Sequence, residues 1–445
     1  MKNKNIIAIL FALFILASCS PAVTAVPPTE TVIPTSTFTP IPPTLTPTPA
    51  PEKITEAKDF SKWIDDYVHA YGGKIMVNNV EMDSSQLTNE VKANLDLFLQ
   101  VKQINGSNFS LFVVNGVPLA IREPNDKQWQ EMTLKTLGRF DNVIIGGMVE
   151  KYPNTERIYK EFDGGLINSN VWTTGKNGVN GELDFSYENF QLEYSKQFGY
   201  LPSNNILDSI LWGAYLPSGF DSFSKEQAIA WMEKYITAVM EKHKNTIGAY
   251  IVVNEASFND NIKKKVGSEY IKLAFQIARK VNPDAYLIYN QTDNHGAEGK
   301  FVNDTAQVGN ELYNEGLIDA IGIQGHMVYD NVSVRIPERE QIKKILDGYK
   351  APIVLTEFDV DLSFLSGSTL EKHILQATMY ANLTGACLDT KRCERIYFYG
   401  AFPDKNSWFV LSQNEPNAQA TLWDDNSQRK AAFYAIVQVL YEHVP

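Results

Sequence analysis

From about residue 141 onward, short apolar and β-branched runs alternate with longer amphipathic or loop stretches. That is the pattern of strand–helix units feeding a parallel sheet, whose strands are apolar on both faces. The runs are Val143–Gly147, Gly165–Asn168, Ser209–Trp212, Gly248–Val253, Ala285–Tyr289, Ala320–Gln324, Pro352–Thr356 and Arg395–Tyr399. Eight runs predict a (β/α)8 barrel, an α/β fold of about 250 residues or more. Between them lie stretches such as Gln227–Ile236, with apolar positions three and four apart as on one face of a helix. An open doubly wound sheet is the alternative, but no glycine-rich phosphate turn follows the first run.

Residues 53–132 read differently and predict a small accessory subdomain ahead of the barrel, which is expected over 133–445. Lys62–Tyr71 is expected to be helical, and Phe109–Arg122 alternates around Asn115-Gly116, a hairpin signal. Residues 1–19 carry Lys2 and Lys4, an apolar stretch and then Leu16-Ala17-Ser18-Cys19, the layout of an export signal too short to span a bilayer. The small residue before Cys19 resembles the lipobox of bacterial lipoproteins, which predicts a lipid on Cys19 and an anchored, extracytoplasmic protein. Ten of the chain's 21 prolines fall within residues 20–52, interleaved with threonine, so this stretch is expected to be an extended, semi-rigid spacer.

The net charge of −12 makes nucleic acid an unsuitable partner, because phosphate binding needs a basic field. Neutral polysaccharides remain open, and an aromatic content of 11% supplies faces that can stack on sugars. No protein partner and no cofactor is implied. The six histidines show no metal-ligand spacing, so a metal-dependent hydrolase is the weaker reading. With Cys19 assigned to the anchor, Cys387 and Cys393 remain as a pair in an exported protein, and a small disulfide loop is expected.

In such a barrel, chemistry belongs to the C-terminal ends of the strands. Two runs end on glutamate: Val252-Val253-Asn254-Glu255-Ala256 and Leu355-Thr356-Glu357-Phe358-Asp359. A lone glutamate after an apolar run is usually a solvated loop residue. Two at the ends of strands four and seven meet across the barrel mouth, where a pair of carboxyl groups can flank a glycosidic bond.

These segments resemble glycoside hydrolase family 10, whose founding activity is endo-β-1,4-xylanase. The resemblance extends to Ile318–His326, to Cys387–Cys393 before strand eight, and to Tyr399-Gly400 followed by Asp404 and Ser407-Trp408. It implies a retaining hydrolase of xylan, with Glu255 as acid/base and Glu357 as nucleophile. His326 is expected to hydrogen-bond Glu357 and hold it ionised, Asn254 to grip the sugar 2-hydroxyl, and Gln324 to line the same floor. Asn290 stands where the family has a site-facing asparagine. Trp408 is expected to wall the glycone subsites, with Tyr399 where the family carries another tryptophan.

The first half of the barrel departs from the family. Asn170 keeps the usual asparagine, but Thr173 stands in place of a lysine. Trp212 is kept, but Asp208 stands in place of a sugar-binding histidine. The substrate is thereby less determined than the reaction. Besides xylan hydrolysis, two readings remain: a retaining glycosidase acting on another β-glycan, and a non-catalytic glycan-binding lipoprotein.

Overall fold

The computed structural model describes residues 60–169, 177–257, 261–292, 300–328, 337–400 and 402–445. The expected signal, Cys19 and the spacer lie outside the described residues.

Eight parallel strands close into a barrel. They are β1 (Ile144–Met148), β2 (Gly164–Asn168), β3 (Ile206–Asp208, resuming at Leu211–Trp212), β4 (Ala249–Asn254), β5 (Tyr286–Gln291), β6 (Ala320–Ile323), β7 (Ile353–Asp361) and β8 (Cys393–Phe398). Closure is made by β8 against β1, with Arg395 level with Ile144 and Phe398 with Gly147. All eight runs read from the sequence are strands. They were legible because every residue of β4 and β7 is buried, which demands unbroken apolar character over most of their length.

The third strand corrects the expected span of Ser209–Trp212. It starts earlier, at Ile206, and is interrupted because Ser209 has φ +56°, a left-handed conformation that cannot continue an extended ladder. Ile206 and Leu207 pair with both β2 and β4, and after the break Trp212 comes level with Asn254.

Inside the barrel, Leu166, Ile206, Ala249, Ile251, Ile288, Ala320, Val354 and Tyr397 form one packed cluster, so the interior is a core and not a pore. Tyr397 is accommodated by Gly146, where any β-carbon would overlap its ring. Outside the strands, helices cover the apolar outer faces. The helix Lys225–His243 contains the periodic stretch read from the sequence and begins with a reciprocal cap between Ser224 and Gln227.

Residues 60–131 form the helix Ser61–Ala70, a short hairpin, the helix Ser84–Ala93 and a four-stranded antiparallel sheet. The hairpin around Asn115-Gly116 pairs Ser107–Val114 with Val117–Arg122. This region shares one continuous apolar core with the barrel's outer layer. It is also tied there by polar contacts. Arg157 bridges Asp66 and Glu131, Arg429 pairs with Glu131 and the buried Glu161, and Lys102 caps the chain's last helix at the Val444 carbonyl, 2.6 Å away.

Cys387 and Cys393 are bonded, joining the end of the helix Thr369–Asp389 to the first residue of β8.

Candidate active site

Residues at or near the ends of β4, β5 and β6 and within the second half of β7 build one hydrogen-bonded chain. Gln324, just beyond β6, donates from Nε2 to Glu255 Oε1 at 2.9 Å and to Asn254 Oδ1 at 3.3 Å. Asn290 of β5 donates from Nδ2 to the same Asn254 oxygen at 2.9 Å and to Glu357 Oε1 at 2.8 Å. The two glutamates are therefore joined through Gln324, Asn254 and Asn290. Asn254 spends its carbonyl oxygen on this chain, which leaves its amide group as the donor for a ligand.

Backbone geometry aims both carboxyl groups. Glu255 has φ +52°, a conformation rare outside glycine and asparagine that turns it out of the β4 ladder. The pairing of β7 with β8 shifts register between Leu355 and Phe358, an irregularity of the kind that re-aims a side chain beside an active site. Within that gap the Glu357 amide donates to the Gln324 carbonyl at 2.8 Å.

The two carboxyl groups sit in different surroundings. Glu357 meets an imidazole: His326 Nε2 lies 3.3 Å from Oε2, while His326 Nδ1 lies 2.9 Å from Asp359. Burial works against charge on the ring, but Asp359 and then Glu357 outweigh it and hold His326 well above its ordinary value. Asp359 also accepts the Trp408 indole N–H at 2.8 Å, which fixes that ring beside His326 and Tyr399. Glu255 is raised by burial. The bond from Gln324 opposes this, the charge of Glu357 adds to it, and the indole N–H of Trp212 opposes it again, donating to Oε2 at 2.6 Å.

Of the residues expected at the site, Glu255, Glu357, Asn254, Asn290, Gln324, His326, Trp212, Tyr399 and Trp408 are brought together. Asn290, expected as a sugar contact, has no exposed surface. Its Oδ1 accepts from Thr356 and its Nδ2 serves Asn254 and Glu357, so it positions other groups. Asn170 and Thr173 lie outside the described residues. Asp359 was not singled out as a site residue from the sequence, although strand alternation puts it on the same face as Glu357. A second polar cluster was also missed: Glu150, after β1, accepts from Tyr187 and Gln191, and Gln191 also donates to the Val149 carbonyl at 2.6 Å.

Residues 182–439 match the family model described as Glycosyl hydrolase family 10. The chain belongs to that family. Similar proteins include "Endo-1,4-beta-xylanase A" of Fusarium oxysporum f. sp. lycopersici, 28% identical over 247 residues, or 52% of this chain and 74% of that protein. "Endo-1,4-beta-xylanase B" of Thermotoga neapolitana is 28% identical over 249 residues, or 53% of this chain and 68% of that protein. Native xylanase 10B from Thermotoga maritima shares the fold, with a TM-score of 0.61 at 24% identity over 70% of this chain and 99% of that one.

Proposed function

We propose that this family 10 protein is a retaining endo-β-1,4-xylanase that cleaves internal bonds of xylan by double displacement. Glu357 attacks the anomeric carbon while Glu255 protonates the leaving oxygen. Glu255, now ionised, then takes a proton from the water that releases the sugar from Glu357. The observation that carries this reading is the division of environment within one hydrogen-bonded chain. Glu357 is held beside the His326 cation and the Asn290 amide, as a nucleophile must be, and Glu255 is raised by burial, as an acid must be. The named activity of the relatives supplies the substrate class.

The same reading includes the division of the chain. Residues 1–19 act as export signal with lipid on Cys19, 20–52 as spacer, 53–132 as an extension of the barrel, and 133–445 as the catalytic part. The protein then works outside the cytoplasm, anchored by lipid and partnered by xylan alone. Cys19→Ala is expected to move it from the membrane fraction to the medium. The test of activity is reducing-sugar release by the full chain on glucuronoxylan and arabinoxylan beside Glu255→Ala and Glu357→Ala. Loss in both variants supports the reading; silence of the wild type on xylan with release from another β-glycan moves the substrate and keeps the chemistry. That second substrate reading is favoured by one observation: a buried carboxyl, Asp208, stands in place of the family's sugar-binding histidine.

A further inference from the structure

The turn that carries Glu255 is held from β5. Glu255 has φ +52°, and a side chain other than glycine stays in that conformation only where its surroundings fix it. Two contacts from the end of β5 do so. The Glu255 amide donates to the Asn290 carbonyl at 3.1 Å, and two residues further on the Ser257 amide donates to the Gln291 side-chain oxygen, Oε1, at 3.4 Å. The first is a main-chain bond, open to any residue at position 290. The second depends on one side chain.

Gln291 is the last residue of β5, level with Ile323 of β6, and is 1% exposed. Strand alternation sends its side chain away from that of Asn290, which bonds Asn254 and Glu357. Its main chain serves Glu255 by a second route. The Gln291 carbonyl accepts the Gln324 amide at 3.1 Å, and the Gln324 side chain donates to Glu255 Oε1 at 2.9 Å. Gln291 Nε2 is buried and has no hydrogen-bond partner among the described residues. A buried unpaired amide group lowers stability, so leucine would fill this place as well or better if packing were the whole role. The bond to Ser257 is long and Ser257 is exposed, so it contributes position more than stability.

We propose that Gln291 is a positioning residue for the acid step, whose side-chain oxygen holds the turn after Glu255 and so keeps the Glu255 carboxyl group in reach of the leaving oxygen. This rests on the glycosidase reading above and adds to it the means by which the acid is aimed. With the turn released, Glu255 moves off the two donors that fix it, Gln324 Nε2 at 2.9 Å and Trp212 Nε1 at 2.6 Å. A misplacement of about 1 Å at a reacting group can cost about a hundredfold in rate.

The test compares the full chain as wild type, Gln291→Leu and Glu255→Ala on two aryl β-xylobiosides, phenyl and 2,4-dinitrophenyl. Phenolate needs a proton from the acid as it leaves, whereas dinitrophenolate departs without one, so only the first compound reads the placement of Glu255. Gln291→Leu is expected to lower kcat/KM about tenfold or more on the phenyl glycoside, a part of the roughly 10²–10⁴ that a placed acid supplies, and about twofold or less on the dinitrophenyl glycoside. Glu255→Ala should show the same split with a larger loss. Gln291→Met, unbranched and of equal reach, is expected to repeat the Gln291→Leu result.

An undiminished rate of Gln291→Leu on the phenyl glycoside overturns the proposal. So does an equal fall on both glycosides, which marks a structural role. In either case the wild type and Glu255→Ala results leave the glycosidase reading standing. Folded wild type that hydrolyses neither aryl xylobiosides nor aryl cellobiosides sinks that reading itself, and the proposal with it.

Discussion

The indole N–H of Trp212 donates to Glu255 Oε2 at 2.6 Å, so the last residue of β3 holds the carboxyl group that follows β4. The interrupted third strand makes this possible, because its second segment brings Trp212 level with Asn254. The bond favours the ionised form of Glu255 and so opposes the rise caused by burial. Trp212→Phe removes the donor and keeps a ring. The Glu255 carboxyl then holds its proton to higher pH, and the alkaline limb of kcat/KM is expected to move upward. A profile with its alkaline limb unmoved would contradict the assignment of Glu255 as acid.

Asn290 provides a way to separate positioning from binding. It is fully buried and bonded at both ends of its amide, to Thr356 and to Asn254 and Glu357. Asn290→Ala is expected to lower kcat about a hundredfold, as for removal of one preorganised donor at a reacting carboxylate, with KM changing little. A large rise in KM at unchanged kcat would instead make Asn290 a sugar contact.

Away from the site, Asp141 at the end of the helix Leu134–Asp141 has one buried carboxyl oxygen with no hydrogen-bond partner among the described residues. Burial raises it from its ordinary value to about 6, with His443, Lys391 and Lys102 opposing. Its folded-state pKa lies above the unfolded one, so its contribution to stability is fully present below about pH 4 and is lost as pH rises through about 6. Asp141→Asn is expected to raise the melting temperature relative to wild type at pH 7.5, with the gain shrinking toward pH 4. An equal difference at both pH values would contradict this.

The disulfide closes a loop with a sequence separation of 6. Replacing Cys387 and Cys393 by serine is expected to cost about 2 kcal/mol, the chain-entropy scale for so short a loop. Matching denaturation midpoints for the two proteins would contradict it.

Much of this architecture was legible before any coordinates. Strands such as Ala249–Asn254 are buried on both faces and leave an unbroken apolar signature, and a glutamate stands just after β4 and another within β7, where the sequence places them. What was not legible has a common physical cause: it depends on contacts between distant segments or on single backbone angles. The break at Ser209 is one left-handed residue between two apolar pairs, Ile206-Leu207 and Ile210-Leu211. The burial of Asn290 and the joint hold of Asp359 on His326 and Trp408 arise only when four strand ends converge. The Glu150 cluster needs Tyr187 and Gln191 from a helix some forty positions away, with no local periodicity to announce it.

The central claim is that Glu357 forms a covalent bond to the sugar. It is tested most directly with a 2,4-dinitrophenyl 2-deoxy-2-fluoro-β-xylobioside. Fluorine at C2 destabilises the positively charged transition states of both steps, and the good leaving group restores only the first, so the glycosyl-enzyme accumulates. Mass spectrometry is expected to find one fluoroxylobiosyl group on the peptide containing Glu357, and none in Glu357→Gln. Failure to find that adduct while the unfluorinated glycoside is hydrolysed, or a label on Asp208 or Glu255 in its place, would contradict the account.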